Sequence, residues 1–139
     1  MGWLLFDRGS RRLSVFDGAA PDSPGLFVGP PIQSWPAHND TDSRSNGRWP
    51  PGLYRWSHYN PHGDMGAPPV CFSTALGCQG IHVFAVAGRP GLGIHAGRTR
   101  GAGSSVGGVT MGCIRVSDQA MTAINALHTH DRITLIDVL

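Results

Sequence analysis

Gly93-Ile94-His95-Ala96-Gly97, a glycine-rich loop, and then Thr110-Met111-Gly112-Cys113-Ile114-Arg115 form the stretch on which the reading of this chain turns. Ile94 and His95 read as a strand that follows the turn at residues 88–93. The histidine stands 18 positions before a cysteine set between a glycine and an apolar-Arg pair. Directly behind it, Ser117-Asp118-Gln119 has the form of a helix cap, and Ala120, Ile124 and Leu127 fall at helical spacing, so a helix is expected to about Leu127. A thiol with an imidazole partner is the minimum equipment of nucleophilic acyl transfer, because the thiolate attacks while the imidazole takes and returns its proton.

Outward from this stretch the chain reads as short strands and turns. Residues 3–6 and 13–16 form a hairpin signal around Arg8-Gly9-Ser10, and residues 26–28 suit a third short strand. Residues 36–51 are polar, with Asn39-Asp40 and Asn46-Gly47 as turn signals, and are expected to be a surface loop. Pro50-Pro51-Gly52-Leu53-Tyr54-Arg55-Trp56 reads as a turn feeding a strand. Residues 81–86 give the best strand in the chain, and residues 132–139 a closing one. Ten of the eleven prolines precede residue 70. Many strands and one late helix predict a mainly β, sandwich-like domain with the helix packed against one sheet, spanning residues 1–139 as one unit.

Composition narrows the chemistry. All 11 cations are Arg and all 9 anions are Asp, which excludes a Schiff-base lysine, a P-loop lysine, a Glu general acid and an HExxH metal site. A net charge of +2 with dispersed arginines and no aromatic interleaving gives no support to nucleic-acid binding. The first apolar residues turn charged at Asp7 and Arg8, too soon for a signal-peptide core, and no apolar run reaches membrane length. Of the three cysteines, Cys71 and Cys78 are close enough to close a small loop in an oxidising compartment, or else remain two reduced thiols.

Cys113 requires positive charge or helix-dipole help to lower its reference pKa of about 8.5. Arg115, the helix behind Ser117 and a protonated His95 are the expected sources. Gly112 allows a tight turn presenting the amides of Gly112 and Cys113 as an oxyanion hole. The six glycines from Gly97 to Gly112 suggest a mobile lid over an extended substrate.

These segments resemble the L,D-transpeptidase (YkuD-like) catalytic domain, whose pattern is Ile-His-Gly, a loop, and Ser/Thr-His-Gly-Cys followed by an apolar residue and Arg or Asn. Pro51-Gly52-Leu53-Tyr54 also looks like that family's strand entry, and the likeness covers roughly residues 50–139. It implies a β-rich domain with Cys113 as nucleophile and His95 as base, and with Thr110, Met111, Gly112, Arg115 and Tyr54 on the substrate. The substrate it implies is the peptidoglycan stem peptide, cut between meso-diaminopimelate and D-Ala and passed to an amine or to water, without a cofactor or metal. Arg115 would support the loop or meet a substrate carboxylate. Two departures stand out: Met111 replaces a second histidine, and Ala96-Gly97 replaces Gly-Thr. Without an export signal the chain resembles short members delivered by secretion systems or carried by phage. Action at the cell envelope, and a cognate inhibitor protein if the chain acts as a toxin, follow from that likeness.

Two rival readings remain. One is a metal site using His58, His62, Cys71 and Cys78, against which stand Pro61 and a cysteine spacing unlike a zinc knuckle. The other is a catalytically inactive wall-binding module of the same fold. His58 and His62 otherwise read as loop surface, and His128 and His130 as residues after the helix that complement its C-terminal dipole. A papain-like hydrolase is disfavoured because its cysteine precedes its histidine.

Overall fold

The computed structural model describes residues 1–25, 29–61, 66–101 and 108–139. Its strands are β1 (Gly2–Asp7), β2 (Arg12–Asp17), β3 (Gln33–Pro36), β4 (Gly52–Asn60), β5 (Ile81–Phe84), β6 (Gly93–His95), β7 (Ile114–Arg115) and β8 (Ile133–Val138). One helix, α1 (Asp118–His130), lies between β7 and β8, and a short 3-10 turn covers Val70–Ser73. The eight strands form one sheet in the order β3-β2-β1-β8-β4-β5-β6-β7. The mainly β reading with one helix behind the cysteine holds, and the layering comes from one sheet that curls on itself.

The curl has a visible seam. Beyond β3 the chain reaches the opposite edge, where the His38 amide donates to Arg115 O at 3.1 Å and the Arg115 amide to His38 O at 2.8 Å. This bridge joins the β7 edge to the segment that follows β3 at one residue pair. Leu4, Phe6, Leu13, Ile94, Ile114 and Ile136, from five strands, lie almost wholly buried in the enclosed core together with Ala120, Met121 and Ile124 of α1. The Ser117 hydroxyl caps α1 by accepting from the Ala120 amide at 3.0 Å.

Several expectations need correction. Residues 36–51 are not a surface loop throughout, since Ala37, His38, Asn39 and Trp49 are buried. Polar composition misleads there because the backbone polar groups are used at the seam, while Trp49 packs between the rings of Tyr54 and Phe84, each at 5.6 Å. β3 carries no local strand signal between its prolines, yet it pairs along β2. β4 runs on to Asn60 and puts His58 on an exposed strand, whereas β5 stops at Phe84. Residues 26–28 lie outside the described residues.

The helix also runs longer than expected, so His128 and His130 form its last turn. Burial, and then the nearby Arg132, push the pKa of His128 down, and its Nδ1 accepts from the Ile133 amide at 3.1 Å. Its ring packs on Trp56 at 4.8 Å and on His82 at 5.0 Å. His82 ties the helix to the sheet. The Trp56 indole donates to His82 Nδ1 at 3.1 Å, which leaves His82 Nε2–H to donate to Asn125 Oδ1 at 2.7 Å. Burial lowers His82 to a pKa of about 4, keeping it neutral in that role.

Because Trp49 is a core residue in an apparently polar segment, Trp49→Ala is expected to cost about 3–5 kcal/mol in urea or guanidinium unfolding. A loss under about 0.5 kcal/mol, as for ordinary surface changes, would contradict the packing described.

Candidate active site

β6 and β7 run side by side in parallel, with Ile94 opposite Ile114 and His95 opposite Arg115. Side chains alternate along strands, so the two isoleucines enter the core while His95 and Arg115 share the other face. Cys113 stands immediately before β7 as the one free cysteine among the described residues. His95, Cys113, Arg115, Arg98, Thr110 and Met111 meet around a cleft of about 300 Å³, walled further by Ala75 and Leu76. The structure therefore gathers residues that lie far apart in the chain.

His95 is buried, and its Nδ1 lies 2.6 Å from Ala96 O. A carbonyl only accepts, so Nδ1 carries the proton and Nε2 is the basic nitrogen. The Ala96 substitution leaves this orienting contact intact because only the backbone takes part. Cys113 Sγ lies 3.6 Å from Gly91 O, and the Gly93 amide donates toward the sulfur.

The expected depression of the thiol pKa is not found. Burial pushes Cys113 up, and the Gly93 amide, Arg115 and Arg89 only partly oppose it. Desolvation penalises the charged form more than these contacts favour it. A thiol held protonated in this way requires a base at the moment of attack.

Thr110 fixes the turn before the cysteine. Its hydroxyl donates to Cys113 O at 2.8 Å and accepts from the Gly112 amide at 3.1 Å, and its own amide donates to Asp40 O at 2.6 Å. Gly112 has φ +121°, and a Cβ there would sit 2.8 Å from Gly47 O and 2.5 Å from Arg89 Nη2. The Gly112 amide is thus committed to Thr110, and of the two amides expected to form an oxyanion hole the Cys113 amide is the remaining candidate.

Arg115 is largely buried where it lines the cleft. One guanidinium nitrogen donates to Val109 O and another to Ala75 O, each at 3.1 Å. Burial, followed by the charge of Arg98, lowers its pKa. Met111 is 58% exposed at the cleft, where a second histidine would stand in the resembling family. Tyr54 is not brought to the cleft. Its hydroxyl donates to Pro50 O at 2.8 Å, pinning the turn into β4. Of the expected glycine lid, residues 102–107 lie outside the described residues.

Sequence reasoning missed one wall of this cleft. Cys71 and Cys78 form a disulfide with Cα atoms 4.9 Å apart, which removes both thiols from the proposed metal site. His62, its fourth member, lies outside the described residues. Inside the closed loop, Thr74 O accepts from the Arg98 amide at 3.0 Å and Ala75 O from Arg115. The Cys78 amide donates to Asp118 Oδ1 at 3.2 Å, joining the loop to the start of α1. The Cys71–Cys78 spacing was the available signal, but only the fold shows where the loop docks.

No protein-family model matches this chain, and no curated protein sequence does. Among solved structures, Bd1075 of Bdellovibrio bacteriovorus is 20% identical, with a TM-score of 0.59 over 99% of this chain and 47% of its own. L,D-transpeptidase 1 of Mycobacterium tuberculosis is 14% identical, with a TM-score of 0.53 over 99% of this chain and 60% of its own. An L,D-transpeptidase of Mycobacterium smegmatis is 17% identical, with a TM-score of 0.50 over 99% of this chain and 58% of its own. The fold is that of the L,D-transpeptidases. At these identities the likeness extends to the L,D-transpeptidase fold alone, and this chain spans between 47% and 60% of the length of those structures.

Two outcomes follow for the site. Replacing both disulfide partners, Cys71→Ser with Cys78→Ser, is expected to lower stability by about 2.5 kcal/mol, the loop-closure value for a ring this small, in urea unfolding. An unchanged midpoint would show that the loop is held without the crosslink. Alkylation of Cys113 by iodoacetamide, followed by mass, is expected to accelerate only above about pH 8.5, the ordinary thiol value. Arg89→Ala removes a cation that favours the thiolate and should move that midpoint higher still, whereas a midpoint near pH 7, like that of an activated thiol, would contradict the dominance of burial.

Proposed function

We propose that the chain is a cysteine acyl-transfer enzyme acting on peptidoglycan stem peptides. The observation that carries this reading is His95, oriented by Ala96 O with Nε2 as its basic nitrogen, on the same cleft as the free thiol of Cys113. The L,D-transpeptidase fold around that pair supports the choice of substrate.

In this mechanism His95 Nε2 takes the Cys113 proton as the sulfur attacks the carbonyl carbon between meso-diaminopimelate and the terminal D-Ala. The Cys113 amide stabilises the oxyanion of the tetrahedral intermediate, a donor of a kind typically worth about 3 kcal/mol. As the intermediate collapses the C–N bond breaks, the imidazolium returns its proton to the departing D-Ala amine, and a thioester remains on Cys113. An incoming amine then gives a cross-link and regenerates the thiol, whereas water gives a shortened peptide. An exposed thioether at Met111 in place of an imidazole leaves the acceptor side less polar, which favours water over a bound amine nucleophile.

The site of action on this reading is the cell envelope. No helix among the described residues is long and apolar enough to cross a membrane.

Purified tetrapeptide muropeptides incubated with the protein should lose D-Ala, seen by mass as tripeptide or as cross-linked dimer. Cys113→Ala and His95→Ala should each reduce the rate by about 10³-fold or more. Turnover that survives Cys113→Ala would overturn the mechanism, and a folded wild type that binds muropeptides without converting them would identify an inactive binding module.

A further inference from the structure

The cleft carries one sign of charge. Arg44, Arg98 and Arg115 line it, and among the described residues no Asp does. Arg89 adds a fourth cation at the rim, where Nη2 donates to Met111 O at 3.3 Å. Three of these arginines are committed to other groups. Arg44 Nη2 meets Asp42 Oδ2 at 2.6 Å, the Arg115 fork holds Val109 O and Ala75 O, and Arg89 Nη2 also holds Gly47 O.

Arg98 differs from them. Its residue is exposed, and among the described residues its guanidinium makes no hydrogen bond or ion pair. Its charge nevertheless acts on the buried guanidinium of Arg115, disfavouring that group's charged form. Its backbone is fixed at the cleft: φ is +56°, in the left-handed region that a non-glycine residue rarely enters, and the amide donates to Thr74 O. Gly97 before it has φ +109°, and a Cβ there would lie 2.5 Å from the same carbonyl, so the backbone that carries the arginine is packed closely against the disulfide loop. Like charges held together in a cleft attract an anion, and a planar fork with open donors takes a carboxylate through two parallel hydrogen bonds.

We infer that Arg98 determines specificity by binding a free carboxylate of the peptide whose carbonyl Cys113 attacks. The inference rests on the acyl-transfer reading and assigns Arg98 the carboxylate contact that the sequence had suggested for Arg115. Two carboxylates of a tetrapeptide stem carry this chemistry, that of the terminal D-Ala and that of the diaminopimelate side chain.

The test uses binding, so that turnover is not required. Cys113→Ala, alone and combined with Arg98→Ala or Arg98→Lys, is titrated by NMR with three muropeptides: the unmodified tetrapeptide, one amidated at the D-Ala carboxyl, and one amidated at the diaminopimelate side chain. Arg98→Ala should weaken binding of the unmodified peptide by about 10- to 100-fold, the range for a hydrogen bond to a charged group, with Arg98→Lys retaining part of it. One amidated peptide should bind the Arg98-containing protein as weakly as the unmodified peptide binds Arg98→Ala, and should show no further loss on that substitution. That peptide identifies the carboxylate. An equal loss with all three peptides, or no loss with any, overturns the role of Arg98 and leaves the acyl-transfer reading standing. Failure of the Arg98-containing protein to bind any of the three overturns both.

Discussion

Arg115 is the constraint on which the cleft depends. Its backbone pairs with His95 on one side and bridges to His38 on the other, and its side chain ties Val109 and Ala75. Four segments that the chain delivers separately are thereby joined at one residue. A cation buried to this extent is expensive unless its donors are satisfied. The two carbonyls cannot leave without stranding the charge, nor can the charge leave without stranding them. The same residue therefore serves both the closure of the sheet and the wall of the cleft.

Around that clamp the reactive groups are set by backbone contacts rather than by other titrating side chains. Ala96 O orients His95, Thr110 bridges the Gly112 amide and the Cys113 carbonyl, and the Gly93 amide faces the sulfur. Such a design tolerates side-chain replacement wherever the backbone path is kept, which accounts for Ala96 standing beside the histidine. It agrees with a fold shared over 99% of this chain at only 14–20% identity. The protonated state of Cys113 belongs to the same design. A thiol whose charged form is disfavoured by burial stays neutral until a base and a substrate carbonyl are both in place.

Much of the architecture was legible locally. The N-terminal hairpin, the strands at Ile81 and Ile94, the Ser117 cap and the closing strand follow from alternation, helical spacing and turn residues, all of which act within a few positions. Reading failed where a residue's surroundings come from distant sequence. Trp49 sits in a polar segment, so its environment is set by Tyr54 and Phe84 and not by its neighbours. β3 is too short and too close to proline to signal itself without β2. Tyr54, proposed for the substrate from a motif, instead fastens a turn, because the motif records a strand entry and gives no direction for the side chain.

The sequence alone determined which reactions were closed, since a chain with Arg and Asp but neither Lys nor Glu offers no Schiff-base or P-loop lysine and no Glu general acid. It also placed His95 and Cys113 on either side of a loop, since strand and cap signals are local. Only the tertiary structure decided that Cys71 and Cys78 bond to each other and that their loop walls the cleft. It alone showed that Arg115 is a buried clamp while Arg98 stands open, and that burial outweighs nearby cations at the thiol. The physical reason is common to all of these: desolvation, charge proximity and hydrogen-bond satisfaction depend on which atoms surround a group, and those atoms are assembled from across the chain only when the sheet closes.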